Sequence, residues 1–256
     1  MNAPVLALHD LAIRFGGVAA VDDVSFSIAG GDFVGLIGPN GAGKTTLIRL
    51  ISGILAPDSG RVELLGENVT RRSTATRVRS GLALTHQIVR PFRTMSVLDN
   101  VVLAAGHRRT VDPLRALVQT GRQAERERAA SVLLQVGLAG TETKLAGSLP
   151  LGQLKRLEIA RALALDPTIL LLDEPLAGLN NSEAAEQIDM IGAVNASGVT
   201  ILLVEHNLEE VIRACRRLIV LANGRVIGDG LPREVMRQAD VRAAYLGESV
   251  EAHAEG

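Results

Sequence analysis

The chain has 256 residues, 47% of them hydrophobic but only 2% aromatic, and a formal net charge of −1. That length and apolar content suit one α/β domain with a core of Ala, Val, Leu and Ile, and the near-neutral charge supplies no global field for nucleic acid or anionic lipid. A single cysteine, Cys215, excludes an internal disulfide and a cysteine-based metal site; Met1–Asp10 lacks a signal-peptide pattern, and no stretch approaches the ~20 apolar residues of a membrane span, so a soluble protein is expected.

In chain order, Val5–Phe15 and Val24–Ala29 mix apolar and polar residues as antiparallel strands do. Phe33–Ile37 is apolar throughout and predicts a buried strand, followed by a helix over Thr45–Ser52. Pro57–Gly60 reads as a turn and Arg61–Leu65 as a strand. The middle is helical: Val97–Ala105, Asp112–Thr120 and Gln123–Val136, with the charge-rich Arg122–Arg128 read as a solvated helix face. The α/β alternation then returns with helices over Leu154–Leu165, Ser182–Ala196 and Leu208–Ala214. Strands are expected at Thr168–Leu172, Val199–Val204, Leu218–Leu221 and Arg225–Asp229, the last two joined by an Asn223-Gly224 hairpin turn. The expected organisation is one domain over 1–247, a helical insertion at about 88–160, and a loose tail at 248–256.

Gly38-Pro39-Asn40-Gly41-Ala42-Gly43-Lys44-Thr45 matches the phosphate-binding loop pattern G-x-x-x-x-G-K-S/T, between an apolar strand and an apolar-periodic helix. Glycines let the backbone curl so that the N–H groups of the loop, Gly38 and Asn40 to Gly43 among them, point at phosphate oxygens. The helix adds its positive end, Lys44 a point charge for the β- and γ-phosphates, Thr45 a hydroxyl for Mg²⁺, and Thr46 a second hydroxyl near the phosphates. Ile169–Leu172 leads into Asp173-Glu174, and ligands gather at the carboxyl ends of parallel strands. Asp173 is therefore a candidate Mg²⁺ ligand and Glu174 a candidate to polarise water; an alternative role for such acids is a helix N-cap. His206 follows the strand Thr200–Glu205 and could reach a γ-phosphate, or could serve the structure alone.

Together these motifs, with the helical segment between them, resemble the ABC ATPase family over about residues 5–247. The resemblance implies a P-loop NTPase (RecA-like) α/β core with an antiparallel β subdomain and an inserted α-helical subdomain. It implies an ATPase, with ATP and Mg²⁺ as nucleotide and metal. Residue by residue, Phe15 is similar to the aromatic on which adenine stacks, Gln87 to the glutamine that contacts Mg²⁺, and His206 to the switch histidine. Glu174, His206 and Lys44 would carry catalysis. Ser148-Leu149-Pro150-Leu151-Gly152-Gln153 stands where the family signature belongs, with Leu149, Leu151, Gly152 and Gln153 facing a partner's ATP; Ala177-Gly178-Leu179-Asn180 stands where the dimer-contact loop belongs. Pro150 and Leu151 replace the usual serine and glycine, and Asn180 the usual aspartate.

The resemblance further implies a head-to-tail dimer with a second ABC ATPase, homodimeric or heterodimeric. It implies transmembrane permease subunits, an extracytoplasmic solute-binding protein in the full system, and a place at the cytoplasmic face of the membrane, with no nucleic acid partner. Arg14-Phe15-Gly16-Gly17, Arg156–Arg161, Val204–Asn207 and Ala244–Glu248 are most similar to the branched-chain amino-acid uptake subfamily. Urea, amide and lipopolysaccharide systems share several of these marks. A soluble ATPase acting on nucleic acid or ribosomes is an alternative that lacks its usual second ATPase domain, coiled-coil insert or basic tail here. A non-hydrolysing regulatory module is a third, against which Glu174 and His206 argue.

Overall fold

The structure, a computed structural model, describes residues 4–85, 91–106 and 122–251. It contains two sheets. The first is antiparallel, with strand order β2-β1-β4-β5 from β1 (Pro4–Phe15), β2 (Val18–Ala29), β4 (Ser59–Leu64) and β5 (Glu67–Asn68). The second has the order β10-β9-β3-β8-β7-β6, from β3 (Phe33–Ile37), β6 (Leu82–Leu84), β7 (Ile169–Asp173), β8 (Thr200–Val204), β9 (Arg217–Ala222) and β10 (Arg225–Gly230). It is parallel except for the β9–β10 hairpin. The expected mixed α/β architecture with an antiparallel sheet is borne out.

The apolar runs in the central strands follow from burial on both faces. Side chains alternate along each strand. Val34 and Leu36, Ile169 and Leu171, Leu202 and Val204 point into a core shared with the antiparallel sheet and with α1 (Lys44–Ser52). Phe33 and Ile37, Leu170 and Leu172, Ile201 and Leu203 point into a second core shared with the helices on the other side. The helix α1 buries Leu47, Ile48, Leu50 and Ile51 in the first core, each contributing roughly 2 kcal/mol by area. On the other face Gly35 admits α7 (Leu208–Ala214) at close range: a Cβ there would lie 2.6 Å from Val211 Cγ1.

Between β6 and β7 the chain leaves the sheet and forms α3 (Val97–Ala105), α4 (Gln123–Gln135) and α5 (Leu151–Leu163), which pack on one another. The start of α3 is capped by Ser96, which accepts from Asp99 N–H at 3.0 Å. The Arg122–Arg128 stretch is mostly exposed, as expected, but Glu125 is buried and Arg128 reaches across to the carbonyl of Leu163. After β7 come α6 (Asn181–Ala196), α7, α8 (Pro232–Val235) and α9 (Ala239–Glu251). No helix among the described residues is long and apolar enough to cross a membrane.

Several boundaries differ from expectation. β2 begins at Val18 rather than Val24, its start disguised by Asp22 and Asp23, the latter in the left-handed region at φ 57°. The helix α5 begins at Leu151 rather than Leu154, because Pro150 stops just outside it as the N-cap residue. The segment 248–256, expected as a loose tail, is helical through Glu251, since neither proline nor glycine follows Gly247 before that point. Residues 252–256, and the helix expected over Asp112–Thr120, lie outside the described residues.

One short helix, α2 (Thr74–Arg79), carries a side chain that joins the two ends of this region. Arg77 is fully buried and donates to the carbonyls of Leu50 and Ile51 at the end of α1, both at 2.6 Å, and to those of Thr70 and Arg72. Burial pushes its guanidinium below the ordinary arginine value, while the carbonyls satisfy its donors. Replacing Arg77 by Ala removes these donors, leaving the Leu50 carbonyl its bond from Gly53 N–H at 3.2 Å, and a loss of roughly 3 kcal/mol is expected as a lower urea midpoint. Cys215 is buried, and burial pushes its thiol up to about 12, so native protein is expected to resist thiol reagents that label it at once when unfolded.

Candidate nucleotide site

The site begins where β3 ends. Gly38, Gly41 and Gly43 adopt φ of 154°, 74° and 102°, which L side chains rarely adopt. A Cβ on Gly38 would strike the carbonyl of Leu221, and one on Gly43 the carbonyl of Ala20. The Asn223-Gly224 turn, with φ 49° and 77° as a two-residue hairpin requires, props the loop from outside: Gly224 N–H donates to Ala42 O at 3.0 Å and Asp22 N–H to Gly224 O at 2.9 Å. Lys44 is buried at the first turn of α1, and its ammonium donates to the carbonyls of Gly38 and Pro39 at 2.7 and 2.9 Å. Asn40, Gly41 and Thr45 are exposed and Thr46 is half-buried, so the concave side of the loop opens to solvent.

Sheet register places the acids beside this loop. Leu36 of β3 pairs with Val204 of β8, and Val204 pairs with Asp173 of β7. At a strand spacing of about 4.8 Å, Asp173 lies ~10 Å from Leu36 across one intervening strand. The three strands thus release Gly38, Glu205 and Glu174 at a common edge. Thr85, just beyond β6, is buried, and its hydroxyl accepts from Asp173 N–H at 3.4 Å.

Glu174 has a left-handed backbone, φ 50°, a conformation that costs a non-glycine residue about 1–2 kcal/mol. It is held there on both sides: its N–H donates to Val204 O at 2.9 Å, and its carbonyl accepts from Ala177 N–H at 3.2 Å and from the Lys155 ammonium at 3.0 Å. Its carboxylate Oε1 stands 2.9 Å from His206 Nε2. An ionised carboxylate can only accept, so this contact requires the Nε2–H tautomer or the imidazolium. The neighbouring Glu205 is buried, with Oε1 accepting from Leu176 N–H at 2.6 Å and Oε2 from His206 N–H at 3.1 Å. Burial raises its pKa, an effect partly offset by those N–H groups. Lys155 is shifted down by desolvation, against the pull of Glu158, Glu205, Glu174 and Asp173.

The remaining described residues of the predicted set stand on other elements than the loop and the acids. Phe15 is half exposed at the end of β1. Leu149 is buried, while Leu151 is exposed and Gly152 and Gln153 are half-buried in the first turn of α5, whose first N–H groups have no intrahelical acceptor. Asn180 caps α6 in a capping box: its side chain accepts from Glu183 N–H and Glu183 accepts from Asn180 N–H, each at 3.0 Å. Gln87 lies outside the described residues. Sequence reasoning passed over Thr85, Lys155 and Glu205 as site residues. Lys155 carried a signal, standing on one stripe of α5 with Ile159 and Ala162, both buried.

A phosphate-binding loop on one parallel strand and paired acids on another, two positions away, define a nucleotide-binding α/β protein. The chain matches the ABC transporter family over residues 21–177 and the branched-chain amino acid ATP-binding cassette transporter family over 225–251. It is 38% identical to the high-affinity branched-chain amino acid transport ATP-binding protein LivG of Salmonella typhimurium, over 97% of this chain and 100% of that one. It is 32% identical to the lipopolysaccharide export system ATP-binding protein LptB of Escherichia coli, over 95% and 97% of the two chains. A crystal structure of an ABC transporter's ATP-binding cassette in its ADP conformation superposes with a TM-score of 0.85, at 30% identity, over 96% of this chain and 100% of that one. This chain belongs to the ABC transporter family and is an ATP-binding, ATPase subunit.

The loop geometry separates two glycines. Gly43→Ala meets both a forbidding φ and a backbone carbonyl, whereas Gly41→Ala meets only the φ, with open space around it. We expect Gly43→Ala to abolish binding of a fluorescent ATP analogue, and Gly41→Ala to weaken it by roughly 10-fold, in line with about 1–2 kcal/mol of strain.

Proposed function

We propose that this subunit powers uptake of branched-chain amino acids by hydrolysing MgATP at the edge shared by β3, β7 and β8. The observation that carries the reading is the 2.9 Å contact between His206 and Glu174 at the carboxyl ends of adjacent strands. It joins a hydrogen-bond donor to a carboxylate where the γ-phosphate of a nucleotide in the loop would lie.

In this reading Phe15 supplies the stacking face for adenine. Backbone N–H groups from Gly38 to Gly43 take the phosphates, with Thr46 beside them, and Lys44 exchanges the carbonyls of Gly38 and Pro39 for phosphate oxygens. Thr45 and Asp173 are hard oxygen donors suited to Mg²⁺, with Gln87 a third. Among the described residues no cluster of three His, Cys, Asp or Glu forms a metal cage, which fits a metal held largely by phosphates and water. When bound, Mg²⁺ supplies charge neutralisation for the β- and γ-phosphates. Glu174 orients a water whose oxygen bonds to the γ-phosphorus as the bond to the bridging oxygen breaks; ADP leaves, and the carboxylate takes the water's proton. His206 and Lys44 stabilise charge on the transferring group.

The start of α5, Leu151 to Gln153, offers its N–H groups to the nucleotide of a second ATPase subunit, with Leu149 seated beneath. The subunit docks peripherally on permease subunits at the cytoplasmic face, with a solute-binding protein outside. The branched-chain substrate is favoured over lipopolysaccharide by the higher identity to LivG and by the family match at 225–251.

Glu174→Gln keeps the shape and removes the base. Turnover should fall at least about 100-fold while ATP affinity stays within about threefold; near-normal hydrolysis would remove Glu174 from the reaction.

A further inference from the structure

The helix α5 does more than present its first turn. One turn in from Leu151, Lys155 faces the sheet and is only 5% exposed. A buried lysine is costly unless its ammonium is satisfied. Here it donates to one backbone carbonyl, that of Glu174, at 3.0 Å. Glu174 is a non-glycine residue at φ 50°, a conformation that persists only where its surroundings impose it. Its N–H is fixed by β8 through Val204 O, and its carboxylate meets His206. Lys155 is the side chain that fixes the carbonyl end of the same residue, alongside the local turn from Ala177 N–H.

We propose that Lys155 is a positioning residue for hydrolysis, holding the backbone of Glu174 so that its carboxylate points at the attacking water. The proposal rests on the hydrolytic reading of Glu174 given above. It also ties the direction of that carboxylate to α5. Displacing the start of α5, at Leu151–Gln153, displaces the anchor of Glu174 one helical turn away. The occupied state of a surface facing a second nucleotide is thereby felt at this subunit's own bond-breaking carboxylate. Lys155 touches neither water nor nucleotide in this scheme; it acts through Glu174 alone.

The test uses the full chain in complex with its membrane subunits, with steady-state ATP hydrolysis and equilibrium ATP binding measured for Lys155→Met, Lys155→Arg, Glu174→Gln and the Lys155→Met/Glu174→Gln pair. Lys155→Met should lower kcat by about 10–100-fold, the scale of a misplacement near 1 Å, with KM and ATP affinity within about threefold. Lys155→Arg, which restores a cationic donor, should recover most of kcat. In the Glu174→Gln background Lys155→Met should add less than about twofold, because both changes act on one unit. If Lys155→Met does not fold, Lys155→Gln takes its place: its uncharged amide falls short of the carbonyl, and a kcat about 10-fold down with KM unchanged is expected. Wild-type kcat in the methionine variant (or in the glutamine variant where that one replaces it), a rise in KM alone, or full additivity with Glu174→Gln overturns the proposal. Normal turnover by Glu174→Gln alone instead overturns the hydrolytic reading, and the Lys155 proposal falls with it.

Discussion

The lateral register of three parallel strands is the constraint on which the site depends. Leu36, Val204 and Asp173 stand in one row across β3, β8 and β7. Each strand then releases its candidate site residues within two positions of that row: Gly38, Glu205 with His206, and Asp173 with Glu174. Because side chains alternate, a slip of one residue in β7 would exchange Leu170 and Leu172 for Ile169 and Leu171 between the two cores and move the acids off the row. Both faces of these strands are buried, so both cores enforce the register. The chemistry inherits its alignment from hydrophobic packing several residues away.

That alignment crowds charge at low exposure. Glu205 and Lys155 are both buried, and burial moves the two in opposite directions, the carboxyl up and the ammonium down. A carboxyl whose pKa is higher in the folded chain favours folding at low pH, and that stability is lost as pH rises through the folded value. A lysine whose pKa is lower in the folded chain disfavours folding until pH passes its unfolded value. At neutral pH both groups are therefore held at a cost in stability. What offsets it is specific: two backbone N–H groups on Glu205 and a carbonyl on Lys155. The same bonds position Leu176, His206 and Glu174. The region thus exchanges stability for placement, as sites commonly do.

The sequence made the central strands and the long-range pairing of loop and acids legible because uninterrupted apolar runs ending in Gly38 and in Asp173 have few other readings. The helices Val97–Ala105 and Leu208–Ala214 are found at the expected boundaries, each with a capping side chain just before it, Ser96 and Asn207. What escaped was polar residues doing interior work. The helix Thr74–Arg79 is six residues long with two arginines, too short and too charged to declare itself, yet it is built around the fully buried Arg77. Lys155 and Glu205 draw no site reading from the sequence, since pattern reasoning assigns charge to solvent. Their partners are backbone groups, and backbone groups leave no mark in a sequence.

The departures at the start of α5 can be weighed in the same physical terms. A serine at position 150 would bring a hydroxyl, but a serine N-cap commonly spends it on the N–H of its own first turn. Pro150 takes the N-cap place with φ −64° and ψ 161° and makes no side-chain cap. The N–H groups of Leu151, Gly152 and Gln153 are left without intrahelical acceptors, at the positive end of a 13-residue helix. Leu151 in turn packs over Gly178, where an added Cβ would come within 3.0 Å of Leu151 Cδ2, and Gly178 itself needs its φ of 80°. That contact seats the start of α5 on the loop that runs from Glu174 to Asn180. The start of α5 thus keeps undivided backbone donors on a helix end fixed twice to the Glu174 segment, by Leu151 at its tip and by Lys155 one turn behind.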